Sequence, residues 1–259
     1  MGINFGDMKS VIVDINGIKK KIFKKSVIDE FNSDALKIGS FQADSETIRC
    51  ISAVFDLEGF TYFCSQTEPE LYAGRFLKDF FDWLFSSIKA ETISETFSEG
   101  YELFHALPFY SKFLGDGVLF IWDTVEMDEI TQHNLLVSLS NICDNYVSLF
   151  YPTVQDKYIG IPKRLRCGVA KGSVYSIGEK NDFIGPCINL ASRLQSLPGI
   201  TFAFSRKGFN PEARFEDYSN IWVKKQIMIR GYNFNEIIVL PRLDFSRMSE
   251  EDKKFYKDF

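Results

Sequence analysis

Histidine is nearly absent from this chain of 259 residues: there are two, His105 and His133, and neither stands in a motif. Catalysis or metal binding built on imidazole is therefore a poor expectation, and packing or surface roles suit both residues. The five cysteines, Cys50, Cys64, Cys143, Cys167 and Cys187, are odd in number, and no two stand at CxxC spacing. That argues against a disulfide framework and against a zinc site, leaving reduced thiols in or near the core. No apolar run approaches the ~20 residues of a spanning helix. The N-terminus MGINFGDMKS lacks the charged-then-apolar order of a signal peptide. Gly2 would suit myristoylation, but Gly6 stands where that motif wants a hydroxyl residue. A basic surplus is missing too: a net charge of -5 and a pI near 5.3 disfavour nucleic-acid binding by phosphate neutralisation. The expectation is a cytoplasmic protein with neither nucleic acid nor membrane as a partner, in which any phosphate recognition is local.

What is present is an ordinary globular composition, 45% hydrophobic and 25% charged, with length for one large domain or one domain with extensions. Residues 1–46 read as an N-terminal extension: a short apolar run (VIVDI), a lysine cluster (KKKIFKK) best taken as a solvated face, then a polar stretch. From Ile48 the pattern sharpens. IRCISAVFD predicts a buried strand ending in Asp56. Leu77, Phe81, Leu84 and Ile88 mark one face of a helix over about Pro69 to Ala90. KFLGDGVLFIW predicts two strands joined by a tight turn at Gly115, Asp116 and Gly117. A second helix is expected from about Glu129 to Leu149, with Leu135, Leu139 and Ile142 in its stripe. RLRCGVA and SVYSI, separated by Lys171 and Gly172, predict two strands, and GPCINLASRLQSL a helix opened by Gly185 and Pro186. TFAFS and NEIIVL are later strands. Strand, helix, two strands, helix, strand is the order of a ferredoxin-like βαββαβ sandwich, an α+β fold with an antiparallel-rich sheet and flanking helices. The expected boundaries are a domain over 47–242 and a tail over 243–259.

Two aspartates carry the chemical interest. Asp56 ends a buried strand, and Asp116 sits at the tip of the hairpin expected beside it. Carboxylates at adjacent strand ends repel unless cations lie between them, and such a pair suits Mg²⁺ completed by phosphates and water. Taken singly, Asp116 is better read as a turn residue and Asp56 as a strand-end cap. On the later helix Ile188, Leu190, Ala191 and Leu194 gather on one side, while Asn189 and Arg193 share the other, an amide and a guanidinium one turn apart.

FDLEGFT, KFLGDGVLFIW, LRCGVAKG and DFIGPCINLASRLQSLPG resemble, in order and character, the motifs of class III nucleotidyl cyclase catalytic domains, over roughly Ile48 to Leu240. The resemblance implies conversion of a nucleoside triphosphate to a 3′,5′-cyclic nucleotide and pyrophosphate, with two divalent cations, Mg²⁺ or Mn²⁺, as cofactors. Carried over residue by residue, it implies metal ligation by Asp56 and Asp116, and terminal phosphates held by Arg166. Asn189 would orient the ribose and Arg193 would stabilise charge on the α-phosphate. Arg230, in IRGY, falls where the family usually has a phosphate-gripping lysine, and Phe60, in LEGFT, counts with the substrate-binding residues. Family sites form between subunits, so a chain carrying both residue sets is expected to be a head-to-tail homodimer with two sites.

Two positions address the base in purine cyclases, and here they are Lys112 and Asp182. That pair matches the adenylate pattern and implies ATP. Against it, the chain between Gly172 and Asp182 is shorter than in most members, and Pro186 and Cys187 replace a more common polar pair. The expected solitary architecture and the texture of FLGDGVLFIW and GPCINLASRLQ resemble the stand-alone bacterial cyclases of Pycsar anti-phage defence. Those make cyclic UMP or cyclic CMP, which acts on a separate effector. A non-catalytic nucleotide-binding regulator is the alternative of another class.

Overall fold

A computed structural model describes residues 10–23, 25, 44–66, 71–96, 102–104, 106–125, 127–177, 182–209, 218–232 and 235–259. His105 lies outside them. The chain divides into two compact units, residues 1–48 with 174–184, and residues 49–173 with 185–259.

In the smaller unit, β1 (Ser10–Ile15) and β2 (Ile18–Phe23) form an antiparallel hairpin. Its turn is Asn16-Gly17, both with positive φ, and Gly17 N–H donates to Asp14 Oδ1 at 2.7 Å. The sequence reading saw there an apolar run and a lysine cluster; the Asn-Gly between them makes the two a single ribbon. β3 (Thr47–Glu58) begins in this unit and continues into the larger one.

The larger unit holds α1 (Phe60–Cys64), α2 (Ala73–Thr92), the hairpin β4 (Ile93–Thr96) and β5 (Glu102–Phe104), β6 (Tyr110–Phe113), β7 (Gly117–Asp123) and α3 (Glu129–Asn145). α3 runs through a π-helical turn, Tyr146–Phe150, into α4 (Tyr151–Val154). β8 (Arg164–Ile177) follows, and its last residues pair with β9 (Asp182–Ile184) in the smaller unit. Then come α5 (Pro186–Gln195), β10 (Phe202–Ser205), α6 (Tyr218–Ile221), β11 (Trp222–Met228), β12 (Asn235–Pro241), α7 (Arg242–Arg247) and α8 (Glu250–Lys253).

The strand order of the main sheet is β11-β12-β10-β8-β3-β7-β6. The segment β8-β3-β7-β6, with α2 and α3 as connections, is the expected ferredoxin-like arrangement; β10, β12 and β11 extend it. β3 explains its central place: eight consecutive residues, Cys50 to Leu57, are buried, as a strand covered on both faces requires. Pleating divides those residues. Ile51, Ala53, Phe55 and Leu57 join a core with Phe76, Phe80, Leu84 and Ile88 of α2 and Leu135, Leu139 and Ile142 of α3. Cys50 and Ser52 point to the opposite face, where both meet Cys187 of α5.

Two expectations are corrected. The deepest stripe of α2 is Phe76, Phe80, Leu84 and Ile88, whereas Leu77 and Phe81 are only partly buried against the core. The offset arises because Phe76 stacks edge-on against Phe63 and Tyr158, and Phe80 against Tyr146 and Phe150. RLRCGVA and SVYSI form one continuous strand rather than two. Lys171 is not a turn residue: its ammonium donates to Gln132 Oε1 at 2.7 Å and to the Gly208 carbonyl at 2.9 Å. Gly172 gives room for α5, since a Cβ there would lie 3.1 Å from that of Cys187.

Candidate active site

The β6–β7 turn is built by its glycines. Gly115 has φ +103°, and a Cβ on Gly117 would stand 2.0 Å from the Phe55 carbonyl oxygen, so β7 can approach β3 there only without one. Gly117 pairs with Asp56, and Leu57 N–H donates to the Asp116 carbonyl at 3.0 Å. The two aspartates therefore occupy one end of the sheet on neighbouring chain segments.

Asp56 is 8% exposed. Burial pushes its carboxyl above the ordinary carboxylate range; the Arg166 hydrogen bond and charge oppose this, and the charges of Asp116 and Glu58 reinforce it. Arg166 Nη2 donates to Asp56 Oδ2 at 2.5 Å, and Nη1 stands 3.7 Å from Glu58 Oε1. Arg164 Nε donates to Glu58 Oε2. The Nε of Arg166 is buried without a hydrogen-bond partner. Glu58 and Arg164 are the members that sequence reasoning left without a role. The signal was the strand period: each stands two residues from Asp56 or Arg166, hence on the same face.

Among the described residues no group of three or more His, Cys, Asp or Glu side chains could hold a metal ion. Two carboxylates close enough for the charge of Asp116 to act on the buried Asp56, with a guanidinium beside the latter, nonetheless fit a hard divalent cation that takes its other ligands from phosphate and water. The set is acidic and all oxygen, as Mg²⁺ or Mn²⁺ prefers.

α5 presents Asn189 and Arg193 on its exposed face, while Cys187, Leu190, Ala191 and Leu194 are buried. The helix lies hard against β8, since a Cβ on Gly168 would come within 2.1 Å of the Ala191 carbonyl oxygen. Arg230 is exposed in a turn closed by Tyr232 N–H on the Ile229 carbonyl at 3.1 Å. The Tyr232 hydroxyl donates to the Pro186 carbonyl at 3.1 Å, which ties that turn to the start of α5. Sequence reasoning gave Tyr232 no part.

Three further predicted residues stand as follows. Lys112 is exposed on β6, opposite Leu119 of β7. Asp182 lies in the smaller unit at the start of β9, where its carboxylate accepts from Phe183 N–H at 2.8 Å. The Phe60 ring is packed in the core beside Phe63 and Phe76.

The adenylyl cyclase CyaB from P. aeruginosa matches with a TM-score of 0.55, over 77% of this chain and 96% of that one, at 15% identity. The fold is that of a class III nucleotidyl cyclase catalytic domain. A bacterial light-regulated adenylyl cyclase gives a TM-score of 0.54 at 14% identity, covering 82% of this chain and 56% of that one. The guanylate cyclase domain of RhGC from Catenaria anguillulae, in complex with GTP, gives 0.50 at 16% identity over 76% and 97%. At such identities the likeness of these cyclase domains is one of fold. No family model and no curated protein matches the sequence. Among the described residues no helix is long and apolar enough to cross a membrane.

Proposed function

We propose that the chain is a nucleotidyl cyclase, converting a nucleoside triphosphate to a 3′,5′-cyclic nucleotide and pyrophosphate as a head-to-tail homodimer. The observation that carries this reading is the placing of Asp56 beside the Asp116 turn at one sheet end, with Arg166 seated on Asp56, in a domain of cyclase fold. Asp56 and Asp116 are the residues that would hold two divalent cations, which when bound acidify the ribose 3′-hydroxyl and neutralise the triphosphate. Arg166 leaves the carboxylate it holds here to take terminal phosphates, and Arg230 adds a second guanidinium. Asn189 orients the ribose, and Arg193, fixed one helical turn away, meets the negative charge growing on the α-phosphate. The substrate's own 3′-hydroxyl is the nucleophile, so alignment and charge stabilisation are all the side chains supply.

For the base, our reading is a pyrimidine, UTP or CTP, with the product acting on a separate effector in anti-phage signalling. It rests on the resemblance of FLGDGVLFIW and GPCINLASRLQ to the stand-alone defence cyclases. Lys112 would donate to a ring carbonyl and Asp182 accept from an amine or ring N–H. The same Lys–Asp pair favours ATP as the second reading.

Incubating the purified protein with each of the four ribonucleoside triphosphates and Mg²⁺ or Mn²⁺, with products identified by mass, tests both. Cyclic UMP or cyclic CMP is expected. A product from ATP alone overturns the pyrimidine reading, and no product from any of them points to the regulator instead. Mixing inactive Asp56→Asn and Asn189→Ala chains should restore about a quarter of wild-type turnover, because half the dimers are mixed and each holds one intact composite site. A mixture as dead as its parts removes the shared-site dimer.

A further inference from the structure

Away from the carboxylates, two thiols meet inside the larger unit. Cys50 Sγ and Cys187 Sγ are 3.8 Å apart, with Cys50 fully buried and Cys187 only 4% exposed. Ser52 Oγ donates to Cys187 Sγ at 3.4 Å from the same face of β3. Cys187 is the second residue of a ten-residue helix, so its sulfur sits at the positive end of the α5 dipole. Nothing in the cyclase reading uses either thiol. We propose that Cys50 and Cys187 form a peroxide-reactive dithiol that closes to a disulfide, tying β3 to the first turn of α5.

The surroundings assign the order of events. The hydrogen bonds with Cys50 and Ser52 and from main-chain N–H groups pull the Cys187 thiol down, and the hydrogen bond with Cys187, with burial, pushes Cys50 up. With its sulfur at the N-terminus of α5 and accepting from Ser52 Oγ, Cys187 is assigned as the attacking thiol. Its sulfur takes one oxygen of hydrogen peroxide as the O–O bond breaks, giving a sulfenic acid, and the other oxygen leaves with the thiol proton as water. The Cys50 sulfur then attacks that sulfur; the S–S bond forms, the S–OH bond breaks, and a second water carries off the Cys50 proton. The balance is two thiols and one peroxide to one disulfide and two waters. Closure needs the sulfurs to approach from 3.8 Å to ~2.05 Å. Rotation of two cysteine side chains and a small shift of the α5 first turn supply that. Cys143 makes an internal contrast. Its neighbour is Cys167, but it lies near the carboxyl end of α3 and burial pushes its thiol well up, so that pair should stay reduced.

The consequence for function rests on the cyclase reading, because Asn189 follows Cys187 by two residues and Asp56 follows Cys50 by six. Drawing the first turn of α5 toward β3 displaces the ribose-orienting Asn189 within the composite site that it completes with the other subunit's carboxylates, and turnover should fall about tenfold on oxidation and return with a dithiol reductant. The cross-link does not rest on that reading.

The test is peroxide treatment of the native full chain, followed by denaturation, alkylation and peptide mapping. A Cys50–Cys187 cross-linked peptide is expected, with Cys64, Cys143 and Cys167 still alkylated and all five alkylated after a dithiol reductant. Five alkylated cysteines after peroxide, or a dominant cross-link through any other cysteine, overturns the proposal. In Cys50→Ala, where no second thiol can trap the sulfenic acid, peroxide should carry Cys187 to the sulfinic acid. An unmodified Cys187 in a folded Cys50→Ala chain refutes its role as the attacking thiol; if that variant fails to fold, the wild-type map decides alone.

Discussion

Replacing Gly168 by alanine tests whether α5 is set by the strand beneath it. Gly168 does not need unusual backbone angles; it needs the absence of a side chain. The added Cβ would stand 2.1 Å from the Ala191 carbonyl oxygen, 2.4 Å from Gln195 N and 2.9 Å from Leu194 Cβ, where ordinary contact begins at 3.4 Å. Two of the three obstacles are helix main chain, which cannot rotate away as a side-chain tip would. The helix must therefore retreat by about 1 Å or more, at an overpacking cost of about 1–3 kcal/mol. For a chain of this size each kcal/mol lowers Tm by about 2–4 °C. Because α5 carries Asn189 and Arg193, the same retreat should cut turnover by about a hundredfold. Divalent-cation binding at Asp56 and Asp116, on other elements, should be spared. Scanning calorimetry, initial rates of cyclic-nucleotide formation and Mn²⁺ titration read the three quantities. Gly74→Ala is the control: it lies in the first turn of α2 with nothing within 4 Å of the new Cβ, so it should add about 0.5–1 kcal/mol and leave turnover alone. Wild-type Tm in Gly168→Ala would refute the close seating of α5. A lowered Tm with wild-type turnover would refute the assignment of substrate contacts to that helix.

The raised Asp56 carboxyl gives a pH signature. The folded chain holds this proton more tightly than the unfolded chain, so the group's contribution to stability is full below the ordinary 3.8 and is lost as pH rises through the raised folded value. Asp56→Asn should flatten that acid-side slope in urea unfolding at a series of pH values while abolishing product; an unchanged slope would mean the carboxyl is not perturbed. Mn²⁺ affinity of the wild type should weaken as pH falls through the same range, and an affinity indifferent to pH there would speak against Asp56 as a ligand. Tyr146, fully buried, donates its hydroxyl to the Pro162 carbonyl at 2.7 Å, and Tyr146→Phe should cost about 1–2 kcal/mol in denaturant unfolding. A variant as stable as the wild type would show that the Pro162 carbonyl finds water instead.

The ferredoxin core was legible because each of its elements carries its own burial signal: the apolar run of β3, the Leu135, Leu139 and Ile142 stripe of α3, the Asp-Gly turn before β7. The depth of α2 was not, since Phe76 and Leu77 lie on one apolar arc and only distant partners such as Phe63 and Phe150 choose between them. The break proposed within β8 failed for a related reason. Lys-Gly looks like a turn locally, and what makes it strand is Gln132 on one side and Cys187 on the other, both remote in sequence. β11 was missed because lysines stand at two of its central positions, Lys224 and Lys225, and hide the strand period; Lys225 is buried and paired with Asp258. At the candidate site the aspartates and Arg166 stood out through their motifs, while Glu58 and Arg164 had no role in the sequence until the pairing of strands brought them together.

The division of β3 into two faces bears on how such a site is regulated. Its odd residues are locked into an aromatic core with α2 and α3, so the strand itself is a fixed reference. Its even residues face the other way: Cys50 and Ser52 touch α5, and Asp56 holds Arg166 of β8. α5 is held on the sheet by its buried face, by glycine-cleared strand main chain at Gly168, by the thiol cluster at its first turn and by Tyr232 on Pro186. That makes the first turn of α5 the place where one small covalent change can act on the helix without unfolding the sheet.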